Sequence, residues 1–421
     1  MRLVLLTSAA AAVLVGMPIA ASAQDVGSSF SRDKNTSVKQ RPRPEYEAMG
    51  QKMGGFTLYP RATVDLVADD NIYAVAAGET SDTIWRIKPE VALRSNWSRH
   101  ALGLYASSTV SRYADNSDEN SEEYTVSGNG RVDVSRGTFL TGNAQYQSLI
   151  EPRTAPTALS AAAEPVSYTV SSLGVSGVKE FNRLRATGKL DTKTFDYDDS
   201  TKVGGGPLSQ RFRNRDETAA GLKLEYAVSP DTALFVSAVR NTRDYVANTP
   251  ADNRDSDGYV TTVGANFDLS QALRGEVEAG YMKQSYDNTL FADIDGASAR
   301  GRVEWFPTEL TTVSINGSRS IEEATAAGSQ GYVSSNFGVA VDHELMRNLL
   351  LGAQASYGKD DYEGVDRADK RRSFSASGTY LVTRNVGLVL GYSYLKQDST
   401  GVNHGADFTD NKVTGSLSLQ F

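Results

Sequence analysis

Alternation between apolar and polar residues is the dominant pattern of this 421-residue chain, and it is clearest at the end of the sequence. Over residues 411–421 the two alternating sets are Val413, Gly415, Leu417, Leu419 and Phe421, and Thr414, Ser416, Ser418 and Gln420. A period of two places these sets on opposite faces of one β-strand. One apolar face and one polar face predict the closing strand of an outer-membrane barrel, with lipid outside and water inside. The alternative is a strand that closes a soluble sandwich.

About eighteen segments show this alternation. They lie near residues 56–67, 83–97, 100–113, 122–135, 138–150, 166–180, 183–197, 210–228, 232–246, 257–269, 272–286, 297–306, 311–322, 331–344, 348–359, 371–382, 385–397 and 408–421. Many exceed the ~9–11 residues with which a tilted strand crosses a bilayer. Their outer ends should therefore rise above the lipid.

The connections between these segments alternate strictly between short and long. Short ones fall at 98–99, 136–137, 181–182, 229–231, 270–271, 307–309, 345–347 and 383–384, and long ones at 68–82, 114–121, 151–165, 198–209, 247–256, 287–296, 323–330, 360–370 and 398–407. Outer-membrane barrels have short periplasmic turns and long outer loops. The sequence therefore predicts an all-β fold over residues 56–421: a transmembrane antiparallel up-and-down β-barrel of about 18 strands, with 16 as the alternative count.

The N-terminus has the form of a secretory signal peptide. Arg2 precedes an apolar stretch, and Ala21-Ser22-Ala23 has the small-x-small form of a cleavage site. Residues 1–23 should be removed, because the apolar stretch is too short for a membrane anchor. Residues 24–55 are polar and lack apolar periodicity, so we expect an unstructured periplasmic segment. Export and the strand pattern together predict the bacterial outer membrane as the location.

Composition leaves little room for catalysis or for bound cofactors. The chain has no Cys, and its three His residues are scattered, so neither disulfides nor a metal site of recognisable spacing is predicted. No His lies in a recognisable nucleophile motif. We therefore expect neither an enzyme nor a cofactor, and nothing in the sequence indicates nucleic acid as a partner.

Several motifs in the first third of the mature chain resemble the opening of a putative outer-membrane β-barrel porin family associated with exopolysaccharide production and export. The motifs are Arg41-Pro42-Arg43-Pro44-Glu45-Tyr46, residues 55–60, Asp69-Asp70-Asn71-Ile72-Tyr73, residues 81–85 and residues 95–102. The resemblance implies a barrel channel with a role in polysaccharide export. It implies neither the transported substrate nor the mechanism.

Parity along the strands identifies candidate pore-lining residues. These are Arg86, Lys88, Arg94, Arg183, Arg185, Lys189, Arg211, Arg213, Arg215, Glu217, Lys223, Arg300 and Arg302. A cation in the middle of the lipid face costs about 2–4 kcal/mol, so these side chains should point inward or lie beyond the bilayer. Two interpretations remain open: a track that guides anions, and a wall stabilised by cross-strand ion pairs. By parity, roughly twice as many Lys and Arg as Asp and Glu line the lumen.

The predicted outer loops are acidic, with clusters at 115–123, 360–369 and 69–79. Their carboxylates suit divalent cations that bridge lipopolysaccharide phosphates, or form a solvated surface. Loop 151–165 carries little charge, and it is the best candidate to fold inward as a constriction, although an outer loop without a special role is an equal alternative.

The C-terminal segment resembles the signal by which barrels are recognised for insertion, with Leu417, Leu419 and Phe421 on its apolar face. The expected partners are therefore outer-membrane lipid and lipopolysaccharide, the barrel-assembly machinery, periplasmic polysaccharide-export components and the polymer itself. The leading functional hypothesis is a conduit or accessory porin for exopolysaccharide export. The alternatives are a general diffusion porin for small solutes and a structural or adhesive surface barrel.

Overall fold

The computed structural model describes residues 36–246, 253–270 and 272–421. The predicted signal peptide and residues 24–35 lie outside the described residues. Eighteen long strands form the wall: β1 Phe56–Asp69, β2 Asp82–Ser95, β3 Ala101–Tyr113, β4 Ser121–Ser135, β5 Thr138–Ile150, β6 Ser167–Phe181, β7 Leu184–Tyr197, β8 Arg215–Ser229, β9 Thr232–Tyr245, β10 Ser256–Leu269, β11 Leu273–Tyr286, β12 Ile294–Thr308, β13 Thr311–Glu323, β14 Gly331–Met346, β15 Leu349–Glu363, β16 Ala368–Leu381, β17 Val386–Thr400 and β18 Phe408–Gln420.

Each strand pairs antiparallel with its neighbour in sequence, and β1 pairs with β18 to close the sheet. In that closing pair Val64 lies opposite Leu417, and Asp69 lies opposite Lys412. Closure leaves the wall without a free edge strand, as a membrane requires, because no water is present in the bilayer core to satisfy exposed backbone groups. The predicted all-β barrel with 18 strands is confirmed.

The outward face is apolar and is bounded by two rows of aromatic side chains. The outer row includes Trp85, Tyr124, Tyr146, Tyr259, Tyr281 and Phe374, and the periplasmic row includes Phe181, Tyr226, Trp305, Tyr380 and Phe421. Such rows mark the two interfaces of the bilayer. Leu417, Leu419 and Phe421 all lie on this outward face, as the sequence predicted. Among the described residues, no helix is long and apolar enough to span a bilayer.

The short turns contain residues in the left-handed backbone region. Gly137 has φ 72° between β4 and β5, and Asn182 has φ 54° between β6 and β7. Gly adopts this conformation without strain, and Asn tolerates it better than most other residues. These turns therefore fix the pairing of successive strands at the periplasmic end.

The expectation of an unstructured segment at 24–55 is wrong for residues 36–55. Val38–Gln40 form a 3-10 turn, Gln51–Met53 pair with β1, and Val38 is 1% exposed. The Val38 N–H donates to Thr312 Oγ1 at 3.0 Å. Periodicity could not reveal the order of the first part, because Val38 and Arg43 are held by contacts with residues some 300 positions away. The pairing of Gln51–Met53 with β1 is local, but three residues are too few to show an alternating pattern.

Residues 36–46, here called the mouth segment, lie across the periplasmic end of the lumen. Lys39 pairs with Asp342 at 3.0 Å, and Arg43 pairs with Glu344 at 2.7 Å. Both acids are inward-facing residues of β14 near its periplasmic end. Further along, the carbonyl oxygen of Pro44 accepts a hydrogen bond from Arg384 Nη2 at 3.0 Å. The segment therefore covers part of the periplasmic opening.

The outer end of the β13–β14 hairpin leaves the wall and packs over the lumen. Pairing between β12 and β13 stops at Ala299 and Arg319, so the outer ends of these strands separate. Val333 of β14 then packs in one apolar cluster with inward-facing Met282 and Ile294. Both faces of residues 331–334 are buried, which a single-layer wall would not provide. The lumen is consequently narrowed on its outer side.

Candidate functional site

The inner face of the barrel carries most of the predicted pore-lining residues. Ten of the thirteen lie on it: Arg86, Lys88, Arg94, Arg185, Lys189, Arg215, Glu217, Lys223, Arg300 and Arg302. The register supports this placement. Arg86 lies opposite Asp65, for example, whereas its chain neighbours Trp85 and Ile87 are exposed on the lipid side.

Three of the predicted residues do not line the wall. Arg183 lies in the periplasmic turn between β6 and β7. Arg211 and Arg213 lie in a 3-10 turn, Arg211–Arg213, because β8 begins only at Arg215 and not at residue 210. The odd-numbered spacing of these arginines imitates a strand, but the alternation of apolar residues opposite them starts later. The prediction that Arg211 and Arg213 line the wall beside Arg215 is therefore wrong.

Arg213 instead holds a loop. Its Nη1 donates to Glu151 Oε2 at 3.0 Å and its Nη2 to Glu151 Oε1 at 2.5 Å. The guanidinium also lies 3.9 Å from the centre of the Tyr197 ring. Burial would lower the pKa of Arg213, but the hydrogen bonds and the charge of Glu151 raise it, so the side chain stays charged. This pair fixes the start of the loop between β5 and β6.

That loop, residues 151–166, is here called the crossing loop. Arg153 at its start donates to Glu119 through Nε at 3.2 Å and Nη2 at 2.5 Å. At its middle, the carbonyl oxygen of Thr157 accepts from Thr325 Oγ1 at 3.0 Å, and that of Pro156 from the Tyr362 hydroxyl at 3.4 Å.

These contacts join opposite sides of the barrel. The crossing loop leaves β5 and returns to β6, whereas Thr325 lies between β13 and β14 and Tyr362 is on β15. Strands β6 and β15 are half a circuit apart in a wall of eighteen strands. The loop therefore spans the lumen, and of the two alternatives for loop 151–165 these contacts support the one in which it folds inward.

Charges on the inner wall are arranged by depth. Roughly five to nine residues above the periplasmic strand ends, at a rise of roughly 12–23 Å, lies a set of cations here called the basic belt. Its members are Arg61, Arg86, Lys88, Lys189, Lys193, Lys223, Arg300, Arg302 and Lys412. The acids at the same depth are Asp65, Glu90, Asp191 and Glu278. The middle of the lumen is therefore positive.

The two ends of the inner wall are acidic. The periplasmic end carries Asp133, Glu180, Glu225, Asp268, Glu276, Glu304, Asp342 and Glu344 against Arg94, Arg131, Arg185 and Arg274. The outer end carries Asp69, Asp82, Glu123, Glu217, Glu322, Asp360, Asp369 and Asp410 against Arg215, Arg243 and Arg371. The expected excess of cations over the whole lumen is thus wrong, because strand ends that parity alone could not place contribute many acids. The excess holds for the middle of the lumen.

Within the basic belt, three side chains are well exposed. Arg302 is 62% exposed, Arg300 57% and Lys88 41%, although each has a carboxylate within 4.0 Å. By contrast, Lys223 lies between Glu225 and Glu276. Strands β2 and β12 are on opposite sides of the barrel, so Lys88 and the Arg300–Arg302 pair approach the lumen from two directions.

The acidic cluster that the sequence places at 69–79 is partly neutralised by a lysine of the protein. Asp69, Asp70 and Asp410 bring their carboxylates together where β1 meets β18. The Lys412 ammonium lies 2.6 Å from Asp69 Oδ2 and 3.0 Å from Asp410 Oδ2. A side chain of the protein therefore already supplies the counter-charge to two of the three acids.

Sequence reasoning missed several residues that shape the lumen. Arg61 and Lys412 could have been found by parity, since they alternate with apolar residues of β1 and β18. Arg43 and Glu344 could not, because their pairing joins residues 301 positions apart.

Comparisons with known proteins agree with this architecture. Residues 43–421 match the protein family described as Putative beta-barrel porin 2. A search of curated protein sequences finds no significant match.

Solved structures of outer-membrane proteins are similar over most of the chain. OpdK from Pseudomonas aeruginosa, solved with vanillate, has a TM-score of 0.49 at 10% identity, covering 86% of this chain and 99% of that one. A BenF-like porin from Pseudomonas fluorescens Pf-5 has a TM-score of 0.49 at 11% identity, covering 88% and 100%. The ferric enterobactin receptor PfeA of P. aeruginosa has a TM-score of 0.48 at 8% identity, covering 86% and 80%. Similarity at this level carries no argument about substrates.

Proposed function

We propose that this chain, which belongs to the family described as Putative beta-barrel porin 2, is an outer-membrane channel through which small solutes diffuse. The observation that carries the proposal is the lumen of the closed 18-strand wall, with water-accessible charged side chains at mid-depth. Barrels of 16–18 strands enclose an aqueous channel unless an inserted segment fills it.

The basic belt makes small anions the preferred solutes. An ion in a narrow channel with low-dielectric walls experiences a focused field, because water screens wall charges less there than at an open rim. Arg300, Arg302 and Lys88 face the lumen from two sides at that depth. The acidic ends reduce the preference, so we expect it to be modest.

Export of a polysaccharide, which the sequence resemblance implied, is less well supported. The crossing loop and the folded-in end of the β13–β14 hairpin both occupy the outer lumen. A polymer chain would have to displace them, whereas the proposal requires only that a small solute pass beside them. The small-solute porin is therefore the better interpretation.

Solute uptake into liposomes tests the proposal. Vesicles containing the refolded chain should swell in mono- and disaccharides and should not swell in dextrans of several kilodaltons. Swelling in large dextrans would favour the polymer conduit. A structural or adhesive barrel would give no swelling at any solute size. The heat-dependent shift in gel mobility would show that the protein in the vesicles is folded.

A further inference from the structure

A group of cations lies on the outward face of the barrel, where no lumen solute can reach it. Lys359 of β15, Lys370 and Arg372 of β16, and Lys396 of β17 share the outward face near the outer strand ends. Arg372 lies opposite Lys396, and Lys359 lies opposite Lys370. We call these four residues the outward cation patch.

The patch lies within the outer interfacial layer of the bilayer. Phe374, an exposed member of the outer aromatic row, is two residues nearer the membrane centre than Arg372 on the same face. Two residues correspond to a rise of about 5 Å on a tilted strand. The interfacial layer of a bilayer is about 5–8 Å thick on each side. The guanidinium and ammonium groups therefore lie at the height of lipid headgroups.

The patch carries a net positive charge. Asp361 pairs with Lys359 at 2.6 Å, and Asp398 pairs with Arg372 at 2.7 Å and with Lys396 at 3.2 Å. Two carboxylates thus face four cations. Arg372 and Lys396 converge on a single carboxylate, which leaves donors of both groups directed at the surroundings.

Three other outward cations near the outer strand ends differ in this respect. Arg112 has Glu122 as a partner, and Arg240 has Asp257. Lys283 lies 2.8 Å from Asp293 and opposite Asp295. Each of these three is matched or exceeded by acids. The excess of cations is a local property of the outward cation patch, since the chain as a whole carries a formal net charge of −8.

We propose that the outward cation patch binds the phosphate groups of a glycolipid in the outer leaflet. Phosphate oxygens accept charge-assisted hydrogen bonds, and Arg372 offers a planar pair of donors for them. The acyl chains of such a lipid would lie on the apolar band directly below, beside Phe374. A lipid headgroup fits better than free phosphate, since both the charge and the apolar surface are used.

Binding of lipid A tests the proposal in the full mature chain held in nanodiscs. We expect diphosphoryl lipid A to bind the unmodified protein and lipid A without phosphates to bind at least tenfold more weakly. The variant Lys370→Gln, Arg372→Gln, Lys396→Gln should weaken binding of diphosphoryl lipid A at least tenfold, because each cation near an anionic surface changes affinity by about fivefold. The matched control, Arg112→Gln, Arg240→Gln, Lys283→Gln, should bind as the unmodified protein does.

A second variant should strengthen the binding of lipid A. Replacing Asp361 and Asp398 by Asn leaves all four cations in place, so lipid A should bind more tightly. Equal binding of phosphorylated and phosphate-free lipid A, or an equal loss in the control variant, would overturn the proposal. So would full competition by millimolar inorganic phosphate, since that would identify a free anion as the ligand.

Discussion

Replacing Arg213 by Gln should release the crossing loop while leaving the barrel wall folded. Arg213 is 4% exposed and Glu151 7%, and the two form a bidentate pair. Removing one partner of such a pair leaves a buried charge uncompensated and costs about 3–5 kcal/mol. The cost falls on the loop, because neither Glu151 nor Arg213 belongs to a wall strand.

Converted at 1.36 kcal/mol per factor of ten, this cost raises the open population of the loop by roughly two to four orders of magnitude. Hydrogen–deuterium exchange of a peptide that covers residues 151–166 measures this directly. Larger fluctuations of single-channel current should accompany the faster exchange, since the loop spans the lumen. The matched control is Arg211→Gln, which removes an exposed arginine from the same 3-10 turn. In this control, the peptide that covers residues 151–166 should exchange at the rate of the unmodified protein.

The double variant Arg213→Gln, Glu151→Gln should recover much of the protection, because it removes the unpaired charge together with its partner. Unchanged exchange in Arg213→Gln would refute the assignment of this pair as the anchor of the loop. Equally fast exchange of the loop in Arg211→Gln would also refute this assignment, because the faster exchange would then come from any change in the 3-10 turn.

Three further results are expected. Glu344→Gln removes the carboxylate that Arg43 contacts at 2.7 Å, so the mouth segment should detach and single-channel conductance should rise; an unchanged conductance would mean that the segment does not restrict flow. Deletion of Phe421 should lower the heat-modifiable folded fraction in the outer membrane and leave chain in the periplasm, and a normal yield would remove Phe421 from the assembly signal. Changing Arg300 and Arg302 together to Gln should reduce anion preference measured by zero-current potential, most strongly in dilute salt, whereas an unchanged potential would exclude these two side chains as the selective cations.

The strands could be predicted well because a barrel wall is a single layer. Each strand has lipid on one side and the lumen on the other, so apolar and polar residues alternate with a period of two wherever the strand crosses the bilayer. Short turns are fixed by local backbone preferences, as at Gly137 and Asn182. Both signals depend only on neighbours in the chain, and the structure confirms them.

The contents of the lumen could not be predicted in the same way. Arg213 and Glu151 are 62 positions apart, and Arg43 and Glu344 are 301 positions apart, so no local sequence pattern predicts either ion pair. Parity also fails where a strand leaves the wall. Val333 is on the face that would meet lipid, yet it packs inside the lumen because the hairpin folds inward.

The zero-current potential of the unmodified channel tests the central claim most directly. Planar bilayers containing the refolded chain would separate 0.1 M from 0.01 M potassium chloride, where the Debye length is about 10–30 Å and wall charges act over the lumen. The basic belt predicts a stable conductance and a potential whose sign shows chloride as the more permeant ion. A cation preference would mean that the acidic ends govern entry, and no conductance from fully folded protein would contradict the channel itself.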